Sequence, residues 1–204
     1  MVSTEARLHA HQAALGQCAR CPDMIGPVIQ GRPVAARILQ IGQAPGPYEG
    51  KLGRPFAWTA GKTLFKWYAT LGVDEATFRE RVYMAAVCRC FPGKHPNGGD
   101  RVPSRAEIAH CSAWLREEVA LLKPALIIPV GKLAIAQMLS APRLDDCVGR
   151  IHRVTYFGHE TDAIALPHPS GLSTWFKVEP GKTLLGKALR LIQAHPAWQA
   201  TFPG

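Results

Sequence analysis

The sequence predicts an α/β fold: a three-layer αβα sandwich around a central, mostly parallel, four-stranded sheet. Two observations lead there. Four short apolar runs with the character of buried strands recur along the chain, and stretches with helical spacing separate them. Alternation on this scale is what a parallel sheet with helices on both faces requires.

Residues 4–16 place Ala and Leu at helical spacing and lead into Cys18-Ala19-Arg20-Cys21, a turn that Pro22 helps to end. Residues 36–41 form the first buried strand. The run breaks at Gly42, turns through Ala44-Pro45-Gly46, reaches Gly53-Arg54-Pro55-Phe56, and resumes helical spacing after Ala60. Residues 61–71 are the first long helix, with Leu64, Phe65, Tyr68 and Leu71 on one face. A second strand, 82–87, precedes Cys88-Arg89-Cys90-Phe91-Pro92-Gly93. Beyond a loop of Gly, Pro, Asn and Lys, Ser104 with Glu107 three residues later fits a capping box. The helix it opens carries Cys111 and Trp114 and runs to about Leu122, where Pro124 stops it. Residues 125–130 read as a third buried strand and 131–139 as a helix. The polar stretch 142–158 holds a short strand or hairpin arm at 151–157. Residues 163–166 form the last strand, feeding into His168, and an amphipathic helix at 181–194 closes the domain before a Pro-terminated tail.

A chain of 204 residues suits one domain, 1–204, large enough to bury its own core. Its net charge of +9 is spread along the chain, which points to a polyanionic partner, with nucleic acid before a membrane surface. No apolar run approaches the ~20 residues needed to span a bilayer, and the first residues lack a signal peptide's apolar core. A cytoplasmic, nucleoid-associated monomer is expected. In a reducing compartment the six cysteines are metal ligands or buried thiols rather than disulfides. The Cys18-x-x-Cys21 pair reads as half of a metal or cluster site, as a redox pair, or as two incidental thiols.

In an open parallel sheet, ligands bind beyond the carboxyl ends of the strands. The loop from Gly42, the segment from Cys88 and the segment from His168 all follow strands, so they should converge on one rim. Gly and Pro in the first loop let backbone amides approach a ligand closely.

Gly42-Gln43-Ala44-Pro45-Gly46, a six-residue spacer, then Gly53-Arg54-Pro55-Phe56 and Ala60-Gly61 together resemble the first motif of the uracil-DNA glycosylase superfamily, especially its iron–sulfur branch, families 4 and 5. His168-Pro169-Ser170-Gly171-Leu172-Ser173 resembles the superfamily's second motif, and the likeness spans roughly residues 15 to 195. It implies a monofunctional glycosylase that excises uracil from DNA, without lyase activity, at the start of base excision repair. It also implies a [4Fe–4S] cluster on Cys18, Cys21, Cys90 and Cys111. The match of the segment 82–90 puts Cys90 at the third position, with Cys88 the substitute if the register slips. Spacing alone leaves zinc as a competing occupant. Cys147 matches nothing and reads as a packed thiol.

Breaking the glycosidic bond leaves an oxocarbenium-like sugar and an anionic uracil, and the base must first be extruded into a pocket. The resemblance assigns His168 to the leaving group, where an imidazole N–H would stabilise charge on uracil O2. Phe56 would stack on the flipped base. Gly42, Ala44 and Gly46 would present backbone amides to base or water. Ser170 and Ser173 would donate to flanking phosphates, while the Gly171-Leu172 turn would press into the vacated space.

The departures from the pattern are informative. Family 4 has Glu where this chain has Gln43, family 1 follows its Gln with Asp where this chain has Ala44, and family 5 has Asp where this chain has Thr59. A neutral amide holds a water but cannot take its proton. Either Glu49 supplies the carboxylate, or the enzyme relies on leaving-group stabilisation and is slow. Family 4 reads uracil with an Asn where this chain has Ala86, so broader specificity, towards other deaminated bases, is expected. Two other readings stand beside the glycosylase: a non-catalytic binder of uracil-containing or abasic DNA on the same fold, and a thiol-based metal or redox protein.

Overall fold

The computed structural model describes residues 2–141, 143–171 and 173–203. The chain opens with α1 (Thr4–Gly16), whose N-cap Ser3 accepts a hydrogen bond from the Ala6 amide. Three parallel strands follow: β1 (Ile38–Gly42), β2 (Tyr83–Ala86) and β3 (Leu126–Pro129), every residue of them buried. Buried on both faces, they carry no polar alternation, which is why they stand out in the sequence. Between β1 and β2 come α2 (Glu49–Leu52), α3 (Thr59–Ala69) and α4 (Glu75–Arg81), and between β2 and β3 comes α5 (Arg105–Leu122). The expected capping box is present on α5, with both the Ser104 and the Glu107 side chains bonded reciprocally.

Side chains along β1 divide between two cores. Ile38 joins Leu64, Tyr68, Phe78, Leu126 and Ile128 on one face of the sheet, whereas Leu39 and Ile41 join Leu8, Leu115, Val119 and Ile127 on the other. The three layers follow from this alternation. The exception inside is Gln40, fully buried on the first face, where its Oε1 accepts the Tyr68 hydroxyl at 2.7 Å. That bond satisfies the amide oxygen, while Nε2 has no partner among the described residues.

The sheet has five strands rather than the four expected, in the order β2-β1-β3-β5-β4. After α6 (Lys132–Ala136) and α7 (Leu144–Cys147), β4 (His152–Tyr156) and β5 (His159–Ala163) form an antiparallel hairpin, and β5 pairs parallel to β3. Phe157 and Gly158 make its turn, both with positive φ. The sequence placed the last strand at 163–166 because only there is the run apolar. The hairpin starts earlier, and its half-exposed residues alternate in burial as edge positions do. Beyond β5 the chain keeps to the sheet through Leu166, whose amide donates to the Pro129 carbonyl at 2.9 Å, and so delivers His168 to the rim. The last long helix, α8 (Gly181–Ala194), matches the expected span. The tail is not plain: α9 (Pro196–Thr201) uses Pro196 as its first residue, after His195 has capped it.

Candidate active site

At the carboxyl rim of β1, β2 and β3, the loop after β1, the loop before α5 and the His168 segment enclose a cleft of about 170 Å³. Gly42, Gln43, Ala44, Gly46 and Glu49 line it, as do Phe56, Ala86, His168 and Ser170. These are all of the sequence-derived base-site residues except Ser173. The Ser173 amide instead donates to the Ser170 carbonyl at 3.1 Å, which ties the segment into a turn. Leu172 lies outside the described residues.

Phe56 is held from three directions. Its backbone sits at φ 51°, a left-handed conformation that a bulky residue keeps only when its surroundings enforce it. Arg79, on α4, does much of the enforcing: its two terminal nitrogens donate to the Pro55 and Phe56 carbonyls at 2.8 and 3.0 Å. Arg79 is itself fixed by Glu75 at 2.9 Å. A Cβ on Gly61 would stand 1.7 Å from the Phe56 carbonyl oxygen, so only glycine lets α3 approach this loop. A Cβ on Gly42 would stand 2.9 Å from the Phe56 ring, so the bare end of β1 is what the ring rests on.

Glu49 is 8% exposed despite its charge. Its Oε2 accepts the Gly46 amide at 2.9 Å, which takes up one of the backbone donors expected to face a ligand. The same glycine brings in a second carboxylate: a Cβ there would lie 2.9 Å from Glu49 Oε2 and 3.5 Å from Asp100 Oδ2. Asp100 also lines the cleft and accepts from Lys94 at 2.6 Å. It sits in a glycine-rich loop with no periodic signal, which is why the sequence did not expose it.

His168 packs against Gly131, which has φ +89° and so little room that a Cβ would stand 3.1 Å from the imidazole Cδ2. Burial pushes the His168 pKa below its ordinary value, and the nearby charge of Asp100 opposes that shift in part. The imidazole is therefore neutral at neutral pH, with one ring nitrogen carrying a proton to donate.

Towards α1 and α5, the cysteines gather. Cys18 and Cys21 follow α1, Cys88 and Cys90 follow β2, and Cys111 stands on α5. Cys90 is pushed up to about 11 by burial and then by the charges of Cys111, Cys18 and Cys21. Cys21 is raised by burial and by Cys111 and Cys18, and its Sγ lies 3.7 Å from His110 Nδ1. Cys88 is a fifth member: its thiol hydrogen-bonds Cys111, which lowers the Cys111 pKa and raises its own. Even so, no group of three or more His, Cys, Asp or Glu that could hold a metal ion is found among the described residues. Cys147 stands apart, with its thiol 3.6 Å from the Arg143 and Leu144 carbonyls.

A buried polar network ties the cysteine segment to the helices beneath it. Arg89 pairs with Glu118 and donates from Nε to the Ala86 carbonyl at 2.9 Å, behind the cleft floor. Tyr83 donates to Glu118 at 2.8 Å, and the His11 nitrogens lie 3.1 Å from Glu117 and 3.4 Å from Glu118. None of these long-range partners could be read from spacing.

Known proteins resemble this chain over the span that contains the cleft. A Type-4 uracil-DNA glycosylase of Archaeoglobus fulgidus is 30% identical over 67% of this chain and 67% of its own. One of Pyrobaculum aerophilum is 29% identical over 66% of this chain and 67% of its own. A Type-5 uracil-DNA glycosylase of Pyrobaculum aerophilum is 30% identical over 59% of this chain and 64% of its own. The family model for the uracil DNA glycosylase superfamily matches residues 28–193, a span that takes in every residue lining the cleft from Ile29 to Ser170. On that match, the chain belongs to the uracil DNA glycosylase superfamily.

Proposed function

We propose that this protein is a uracil-DNA glycosylase: it hydrolyses the N-glycosidic bond of uracil in DNA and leaves an abasic site for base excision repair. The observation that carries the reading is the meeting of a neutral histidine, a buried carboxylate and a fixed aromatic ring in one cleft at the rim of the sheet.

The extruded uracil enters beside Phe56, whose ring offers its face at no cost in loop ordering because Arg79 and Gly42 already fix it. His168 donates its N–H to uracil O2. Its neutral state suits a leaving group whose charge appears only as the bond breaks. Glu49, anchored through Oε2 on the Gly46 amide, has Oε1 left to orient a water and take its proton, and the Gln43 amide steadies that water. The pair of carboxylates near Gly46 speaks against a non-catalytic binder, since the negative charge that Gln43 lacks is present nearby. Ser170 and Ser173 donate to the flanking phosphates. No lysine is among the described residues that line the cleft, Lys51 of the spacer included, so no Schiff base forms there and the enzyme cleaves without lyase activity.

Ala85 and Ala86 give the cleft methyl groups where an amide could have read uracil. We infer that the pocket admits other deaminated bases, because no buried amide is left unpaired by a mismatched ring. Cys18, Cys21, Cys90 and Cys111 would hold a [4Fe–4S] cluster, and thiols that already polarise one another fit its all-sulfur donor set. Bound there, the cluster supplies a structural crosslink between the N-terminal segment, the loop after β2 and α5. A monomer acting in the DNA-containing compartment accords with the basic charge, and no helix among the described residues is long and apolar enough to cross a membrane.

The test is base release from single-stranded and duplex oligonucleotides carrying uracil, hypoxanthine or xanthine. Wild type should release uracil, with His168→Ala lowering kcat by about 10²–10³-fold and Glu49→Ala by about 10²–10⁴-fold. Binding of lesion DNA with no release by wild type would sink the catalytic reading. Release of uracil alone would remove the broad pocket.

A further inference from the structure

The rim of the cleft carries a feature that base excision from within the pocket does not use. Tyr48, in the loop after β1, and Trp58, at the start of α3, stack with ring centroids 4.5 Å apart and planes 25° from parallel. They are 45% and 42% exposed, and the other large hydrophobic side chains that are exposed among the described residues are all aliphatic. The pair contributes nothing to either core, yet both rings stand at the mouth of the cleft. Lys62, one turn along α3, places its Nζ 5.7 Å from the centre of the Trp58 ring. Arg54 stands exposed on the same loop, with Lys51 beside it on α2.

Resting on the glycosylase reading, we propose that the Tyr48–Trp58 pair is a stacking subsite for an unpaired nucleobase next to the extruded nucleotide, and that it gives the enzyme a preference for uracil in single-stranded DNA. Four features select this occupant. The rings adjoin the opening through which the target base passes, so the strand that continues from it runs across them. A base that loses its neighbour by extrusion gains from a flat aromatic face, whatever its identity. Lys62, Lys51 and Arg54 are exposed on the segments that carry the pair and can meet the phosphates of such a strand, Arg54 by leaving Glu75 at 3.7 Å, and the chain as a whole is basic. Two rings already stacked on each other have little rotamer freedom left to lose, and Lys62, which lies over Trp58, would swing to a phosphate as the base arrives. In a duplex the flanking base remains stacked and paired within the helix, so the subsite adds little there.

The experiment is steady-state uracil release from matched single-stranded and duplex substrates by wild type, Trp58→Ala and Trp58→Phe. The single-stranded substrate also carries 2-aminopurine beside the uracil. Trp58→Ala should raise KM on single strands by about tenfold, and far less on duplex, with the loss in KM rather than kcat. Trp58→Phe, which keeps a ring, should recover most of it. Wild type should quench the 2-aminopurine on binding, and Trp58→Ala should not. An equal loss on both substrates would place the ring against the target base itself and overturn the proposal, as would unchanged quenching. If wild type releases no uracil from either substrate, the glycosylase reading fails first, and that arm separates the two failures.

Discussion

A single glycine sets the position of the ring proposed to receive the base. Gly42 ends β1 where the Phe56 ring must rest, and a methyl group there would meet the ring at 2.9 Å. Gly42→Ala should therefore push the ring out of the cleft and lower kcat/KM for uracil by about 10²-fold, as a displacement near 1 Å does to a positioned group. Unfolding monitored in parallel should show the strand intact, since Ala is an ordinary strand residue at this φ. Asp100 gives a second prediction at this scale. The role proposed for His168 calls for a neutral imidazole, and burial keeps its pKa below the usual 6.5, so kcat should hold as pH falls past about 6.5 and decline only below it. Asp100 opposes that shift. Asp100→Asn should move the acid limb of the kcat profile to lower pH, and a limb that stays in place would show that Asp100 has no hold on the imidazole.

Among the elements, α1, α5 and β2 are joined by the Arg89–Glu118–Tyr83–His11 network. Burial lowers the His11 pKa, but hydrogen bonds and charge from Glu118, then Glu117, outweigh it and leave the pKa raised. A raised folded pKa adds stability that is fully present below the unfolded value of about 6.5 and is lost as pH rises through the folded value. Urea unfolding above that value should thus show wild type losing stability that His11→Gln does not lose. Arg89→Met leaves Glu118 charged, fully buried and without its main partner, and should cost about 3–5 kcal/mol. Little of this was legible in advance. The capping box at Ser104 and Glu107, α8 and the three buried strands were legible because local chemistry or uninterrupted apolarity encodes each of them. The β4–β5 hairpin was half-legible, since His159 to Asp162 reads as polar loop until an edge position explains it. In the site, Phe56, Glu49 and His168 carried motif context. Asp100 and Arg79 did not, because their roles exist only through chain segments brought together by the fold.

Across the whole molecule, two centres stand out: the cleft at the rim of the sheet and the thiols gathered beside α1 and α5. Freshly purified protein should carry iron and acid-labile sulfide at about four each per chain, with broad visible absorption. Removing such a cluster should lower Tm, because the N-terminal segment would lose a crosslink and keep only its packing and polar contacts such as His11 with Glu117 and Glu118. Zinc in place of the iron and sulfide would remove the cluster but keep the crosslink. The sheet order has a further consequence. The cleft needs Gln43 from the end of β1 and His168 from beyond β5, and β3, which lies between those strands, is made after the first and before the second. Contacts so distant along the chain form late and slowly. A chain still emerging from the ribosome can bury much of its sheet, but it has no His168 at the rim. On the role proposed for His168, the completed fold thus acts as its own licence: no partly synthesised copy could begin removing bases from a genome.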